Sequence, residues 1–209
     1  MRGRLVEIAG IPTVLLKRHS VGHKVPPHRV NYRAMALGLR ALGVTCCLAT
    51  AAVGSLRPNW LPGTFVVPHD LLDLTGRNPT LFDQKVVHTD FSSPLPARGI
   101  LLSGAADSGI PVVDGGVYIC GNGPRYETPH EIAMFSKVGD LVGMTAATEA
   151  ILMREAEVDY GLLAVVTNLA CGLSEAPLNH GEVASEMERI GESAVKVLLA
   201  SVGGLRSAV

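Results

Sequence analysis

Two apolar runs without a single charged side chain, Val44–Val53 and Leu162–Asn168, constrain this chain more than any other feature. Each is too short to cross a bilayer and too apolar on both sides for a strand with one wet face. Such segments read as central strands that need cover on both sides, as in sheets flanked by helices. The stretches around them supply that cover. Tyr32–Leu42 reads as a helix capped by Asn31 and ended by Gly43, with Met35, Leu37, Leu39 and Leu42 on one buried side. Thr128–Lys137, with Pro129 in its first turn, and Thr148–Glu157 read as helices, as does a last segment from Asn179, where Glu182 completes a capping-box pattern. Thr64–Val67, Val117–Cys120 and Asp140–Met144 read as further strands, and Arg4–Leu16, broken at Gly10 and Pro12, as a hairpin or two edge strands. His19–Val30 and Thr75–Pro96 read as loops, the second long enough to suggest function or a subunit contact. Alternating strands and helices predict an α/β protein: a central mixed, largely parallel sheet flanked by helices, in one domain over residues 1–209.

The charge balance narrows the partners. A net charge of −1, with only 18% charged residues, gives no electrostatic reason to bind nucleic acid or an anionic membrane. A bound phosphate would have to be held by local donors. The four cysteines (Cys46, Cys47, Cys120, Cys171) form no C-x-x-C pair and no ligand spacing with histidine, so buried thiols are expected. Without a secretory signal or a membrane-spanning run, a cytoplasmic protein is expected.

Two side chains carry a specific chemistry. Glu127 lies in Gly123-Pro124-Arg125-Tyr126-Glu127-Thr128, and Asn168 ends the second apolar run. A carboxylate can accept the N1–H of hypoxanthine or guanine, while a carboxamide can donate to N7 and bond O6. Tyr126 adds an aromatic face for a base. A loop glutamate taken alone is more often simply solvated. Its setting is what raises it.

That setting is an ordered series: Arg18-His19, Pro26-Pro27-His28-Arg29-Val30-Asn31-Tyr32-Arg33-Ala34, Val53-Gly54-Ser55-Leu56, Gly123–Thr128, Gly143-Met144-Thr145 and Val166-Thr167-Asn168. From about Leu5 to Leu199 the chain resembles the trimeric purine nucleoside phosphorylases, especially their methylthioadenosine and methylthioinosine phosphorylase branch. The resemblance implies a homo-oligomer, trimer or hexamer, with sites at subunit boundaries. It also implies phosphorolysis, in which inorganic phosphate as co-substrate attacks C1′ of a purine nucleoside, with no metal or other cofactor. On the matched positions, Asn168 would bond N7, Glu127 would take the N1–H, and Tyr126 would stack. Met144 and His23 would lie at the ribose, and His180 at the 5′-hydroxyl. Arg18, His19, Thr145 and the amides of Ala51 and Ala52 would hold phosphate. His88 would reach a neighbouring subunit's pocket. An Asp at position 168 could protonate N7 and suit adenine; Asn168 favours a 6-oxopurine, with inosine and guanosine preferred over methylthio nucleosides because of His180.

Two departures fall on phosphate. Members of this family begin with a strand and a Gly-rich turn bearing Ser or Thr, whereas this sequence starts at Met1-Arg2-Gly3 without that turn. Ala51 also stands where many relatives carry a polar side chain. Three expectations therefore stay open: phosphorolysis, hydrolysis by water at C1′, and purine binding without turnover.

Overall fold

The N-terminal hairpin forms as expected: β1 (Arg2–Ile8) pairs antiparallel with β2 (Ile11–Lys17). Its turn is Ala9-Gly10, both with positive φ. The computed structural model describes residues 2–174 and 180–205. A single 3-10 turn (Pro27–Arg29) follows, then α1 (Tyr32–Ala41), where the Asn31 side chain accepts from the Ala34 amide at 3.0 Å. One expectation for α1 fails. Tyr32, Met35, Ala36 and Leu39 are buried, but Leu37 and Leu42 are 48% and 69% exposed. At about 100° per residue, Leu37 lies nearly opposite Met35 and cannot share its face.

The remaining elements are β3 (Cys46–Ser55), β4 (Phe65–Val67), β5 (Asp70–Asp73), α2 (Arg98–Ser108), β6 (Val113–Asp114), β7 (Val117–Cys120), α3 (Pro129–Phe135), β8 (Leu141–Gly143), α4 (Ala146–Glu155), β9 (Asp159–Leu169) and α5 (His180–Gly204). The main sheet has seven strands in the order β5-β7-β8-β3-β9-β4-β6. Neighbours run parallel except at β3–β8 and β4–β9, so the sheet is mixed and largely parallel. β3 does not stop at Gly54-Ser55 as its composition suggested. Those two residues pair with Val142 and Leu141 of β8, and tertiary pairing overrides the local breaker.

Burial along β9 shows why the apolar runs sit at the centre. Leu162, Ala164 and Val166 pack in the cluster containing Met35 and Leu39 of α1 and Leu152 and Met153 of α4. Leu163 and Val165 pack on the opposite side with Leu101 and Ala105 of α2 and Ala194 and Val197 of α5. Alternate side chains thus fill two helical layers, and each fully buried Leu or Val contributes roughly 1.5–3 kcal/mol. A third cluster joins Ile132 and Phe135 of α3 to Leu56, Ile119 and Val142. Val14 and Leu16 attach the hairpin to the α1–α4 layer.

β5, α2 and β6 were not legible in the sequence. α2 has no side-chain cap, and its buried positions, Leu101, Gly104 and Ala105, include only one large apolar residue. Its pattern is set by α5. A Cβ on Gly104 would sit 2.0 Å from Ser201 Oγ and 2.6 Å from the Ser201 amide nitrogen. In an exposed helix, Gly→Ala stabilises by about 0.8–1.0 kcal/mol. Here the sign should reverse: Gly104→Ala is expected to destabilise by roughly 1–3 kcal/mol through overpacking, read as a lower urea midpoint with unchanged m.

Candidate active site

The candidate residues lie where β3 loses its neighbour. β8 pairs only with Gly54 and Ser55, so the preceding stretch of β3 has no ladder on that side among the described residues. The chain leaving β8 turns back beside it: Arg18 Nη2 donates to both the Thr50 carbonyl (2.9 Å) and Thr145 Oγ1 (3.3 Å). Within a strand, the N–H and C=O of one residue share a direction and successive residues alternate. The Thr50 carbonyl faces Arg18, so the Ala52 amide faces the same side and the Ala51 amide faces β9. Ala52 is exposed, while Ala51 is buried. Of the two amides expected at phosphate, that of Ala52 points to the Arg18 side and that of Ala51 towards β9.

Arg18 is held from behind. Its Nε lies 3.1 Å from Glu149 Oε1, and Tyr160 donates to Glu149 Oε2 at 2.5 Å. Glu149 is buried. Burial, the largest single influence, works against the Arg18 charge, but Glu149 together with Tyr160, Tyr118 and Tyr32 outweighs it and raises the pKa. The guanidinium is a fixed cation. Thr145 is equally constrained, because its amide and that of Ala146 donate to the buried Tyr118 hydroxyl (3.3 and 3.4 Å).

His19 stacks on His23, with ring centroids 4.2 Å apart and an angle of 11° between planes. Its Nδ1 lies 2.8 Å from the Val25 carbonyl, which can only accept, so Nδ1 carries the proton. Burial, assisted by Arg18 and His23 and opposed by the Val25 bond, lowers the His19 pKa to about 4. The neutral ring therefore presents Nε2 as an acceptor, where the sequence suggested a donor.

Glycines make room for the other candidates. A Cβ on Gly121, just after β7, would lie 3.0 Å from Glu127 Oε1. A Cβ on Gly123 (φ +62) would meet Met144 Sδ at 2.5 Å, so Met144 packs directly under this loop. The loop runs into α3 through a capping box. Thr128 Oγ1 accepts from the Glu131 amide, Glu131 accepts from the Thr128 amide, and Arg125 grips Glu131 through two 2.8 Å bonds. Glu131 serves structure, which leaves Glu127 for other work. Burial, reinforced by Glu131, raises the Glu127 pKa against its own backbone bond and Arg125. Tyr126, beside it, is partly buried.

Asn168 owes its direction to a bulge. The β3–β9 register slips between Val53 and Gly54, which pairs with Asn168 and skips Thr167. The Asn168 amide lies over Gly54, whose added Cβ would be 3.3 Å from Nδ2. Thr167 Oγ1 donates to Asn168 Oδ1 at 2.9 Å, and Nδ2 donates to the Leu169 carbonyl at 2.9 Å. A flipped amide would set Oδ1 against that carbonyl, so the orientation is fixed.

Not every candidate joins this group. His88 lines a separate shallow cleft with Asp70, Leu71, Phe91 and Ile151, away from Arg18, Glu127 and Asn168. His180 opens α5; the role expected of its side chain, and the cap expected at Asn179, lie outside the described residues. Sequence reasoning missed Glu149 and Arg77. Glu149 looks like any helix glutamate, and Arg77 like any loop arginine, until the fold places them.

Comparison with known proteins places the chain in a family. The family model described as "Phosphorylase superfamily" matches residues 6–203. A protein of Moorella thermoacetica, described as a probable 6-oxopurine nucleoside phosphorylase, is 46% identical over 197 residues, covering 91% of this chain and 76% of its own. A probable S-methyl-5′-thioinosine phosphorylase of Methanothermobacter thermautotrophicus is 43% identical over 203 residues, covering 96% and 71%. Methylthioadenosine phosphorylase from Schistosoma mansoni, solved with adenine, superposes with a TM-score of 0.90 at 30% identity over 100% of this chain and 87% of that one. With nearly the whole chain matched and the fold superposing over all of it, this protein belongs to the phosphorylase superfamily and has the nucleoside phosphorylase fold.

Proposed function

We propose that this protein catalyses the phosphorolysis of 6-oxopurine nucleosides, inosine and guanosine, with 5′-methylthioinosine as a further substrate. Inorganic phosphate is the co-substrate, and no metal or organic cofactor takes part. A phosphate oxygen forms a bond to C1′ as the C1′–N9 bond breaks, and the electron pair moves into the purine. The products are the free base and a pentose 1-phosphate. The observation that carries the reading is the fixed Asn168 amide: Thr167 occupies its oxygen, and the second Nδ2 hydrogen is available for N7 as charge grows there. A preorganised donor of this kind is typically worth about 10²–10³ in rate. Glu127 takes the N1–H that a 6-oxopurine has and adenine lacks, and Tyr126 lies against the base.

Arg18, the Ala52 amide and the Thr145 hydroxyl hold phosphate, while His19 Nε2 accepts from a P–OH. Met144 and His23 border the ribose, and His180 meets the 5′ group. A homo-oligomer in which His88 reaches a neighbouring site completes the proposal, in the cytoplasm. The relatives named for 6-oxopurine nucleosides and for methylthioinosine share the base class and differ in the 5′ substituent, which supports the base assignment more firmly than the 5′ one.

Product analysis by chromatography tests this directly, with inosine, guanosine, 5′-methylthioinosine and adenosine each incubated with and without phosphate. Hypoxanthine and ribose 1-phosphate should form from inosine only when phosphate is present; free ribose regardless of phosphate, or no cleavage at all, would overturn the reading. A second expectation concerns the base. In Asn168→Asp the introduced carboxylic acid can pass its proton to N7, which a carboxamide does not. The ratio of kcat/KM for adenosine to that for inosine should rise by at least about tenfold, equivalent to roughly 1.4 kcal/mol. An unchanged ratio would remove Asn168 from base recognition.

A further inference from the structure

The segment between β5 and α2 sends one side chain, Arg77, beneath the candidate site. Gly76 (φ +66) and Asn78 (φ +46) flank it, both left-handed, so the backbone turns sharply on either side and aims the side chain inward. Arg77 Nε donates to Asn122 Oδ1 at 2.8 Å, and Nη2 to the Asn122 carbonyl at 2.5 Å. Nη1 reaches the Met144 carbonyl (3.1 Å), Thr148 Oγ1 (3.1 Å) and the Tyr32 hydroxyl (3.4 Å). The guanidinium also sits 5.4 Å from the centroid of the Tyr32 ring.

These partners come from three separate parts of the chain. Asn122 belongs to the loop that carries Tyr126 and Glu127. Met144 belongs to the turn from β8 into α4, and Thr148 to the first turn of α4. Tyr32 donates to the Pro27 carbonyl at 2.8 Å and so fastens the loop bearing His19 and His23. All five bonded atoms are neutral oxygens. The side chain is therefore used for its shape: a rigid planar fork with five N–H groups, which a lysine ammonium cannot reproduce.

We propose that Arg77 is a positioning residue for the nucleoside, setting the spacing between the Glu127 loop and the Met144 floor. The inference rests on the functional reading above. Arg18, the cation of the phosphate half, is held independently by Glu149, Thr50 and Thr145, so phosphate recognition loses less than nucleoside recognition when Arg77 is replaced.

The test is steady-state kinetics of Arg77→Met and Arg77→Lys, varying inosine at saturating phosphate and phosphate at saturating inosine. A shift of about 1 Å in a positioned group costs about 10²-fold, so kcat/KM for inosine should fall by about that factor in both variants. KM for phosphate should stay within about threefold of the wild type. Wild-type inosine kinetics in Arg77→Lys would overturn the proposal, since charge alone would then suffice. So would a parallel rise of both KM values, which marks general loosening. If Arg77→Met does not fold, Arg77→Lys carries the test. If the wild type cleaves no nucleoside, the functional reading fails separately, and calorimetry with hypoxanthine decides for Arg77: weaker binding in Arg77→Lys supports its role, and equal binding overturns it.

Discussion

The parallel pairing of β3 with β9 is the constraint on which everything else depends. It runs from Cys46 opposite Asp159 to Ser55 opposite Leu169, the longest ladder in the main sheet. Because both strands lack charged residues through most of that length, neither tolerates water on either side. Helices must cover both faces, and the loops that connect those helices converge on the end of the ladder. There β3 outruns β8, a buried strand is exposed at Ala52, and polar side chains gather around it.

That gathering separates into two halves with different physics. Around Arg18 the arrangement is electrostatic: a buried carboxylate, itself bonded by Tyr160, keeps a cation in place before any anion arrives. Breaking such a buried pair typically costs 3–5 kcal/mol, because the partner is left uncompensated. Around Glu127 and Asn168 the arrangement is steric. Gly121, Gly123 and Gly54 lie where any side chain would strike Glu127, Met144 or Asn168. One half is held by charge and the other by the absence of Cβ atoms.

How much of this the sequence displayed follows from the range of the forces involved. Asn31 as a cap, Gly43 as a terminator and Pro129 in the first turn of α3 were legible because their effects act within a few residues. The central strands were legible because burial on both faces leaves an unbroken apolar run. α2 was not, since its contact with Ser201 of α5 spans almost a hundred residues and needs small side chains that carry no pattern. Leu37 was assigned to a buried face that helical geometry denies it, and Leu42 to a helix that ends one residue before it. In the site, the ordered motifs identified Arg18, Glu127, Met144 and Asn168 as a set. The direction of the Ala52 amide, the tautomer of His19 and the buried role of Glu149 come only from strand alternation and long-range bonds.

The bulge beside Gly54 has a consequence for chain length. In a regular strand, Asn168 would share the face of Val166 and point into the layer formed by α1 and α4. One extra residue, Thr167, moves it to the other phase and spends its own hydroxyl on locking the amide. Removing Thr167 would leave every core contact from Tyr160 to Val166 in place and keep Asn168 opposite Gly54, in its present phase, but without the hydroxyl that holds its oxygen. The chain could therefore gain or lose residues in the long segment after β5 at modest conformational cost, yet at this one position a single-residue deletion would remove the lock on the recognition amide while leaving the core as it is.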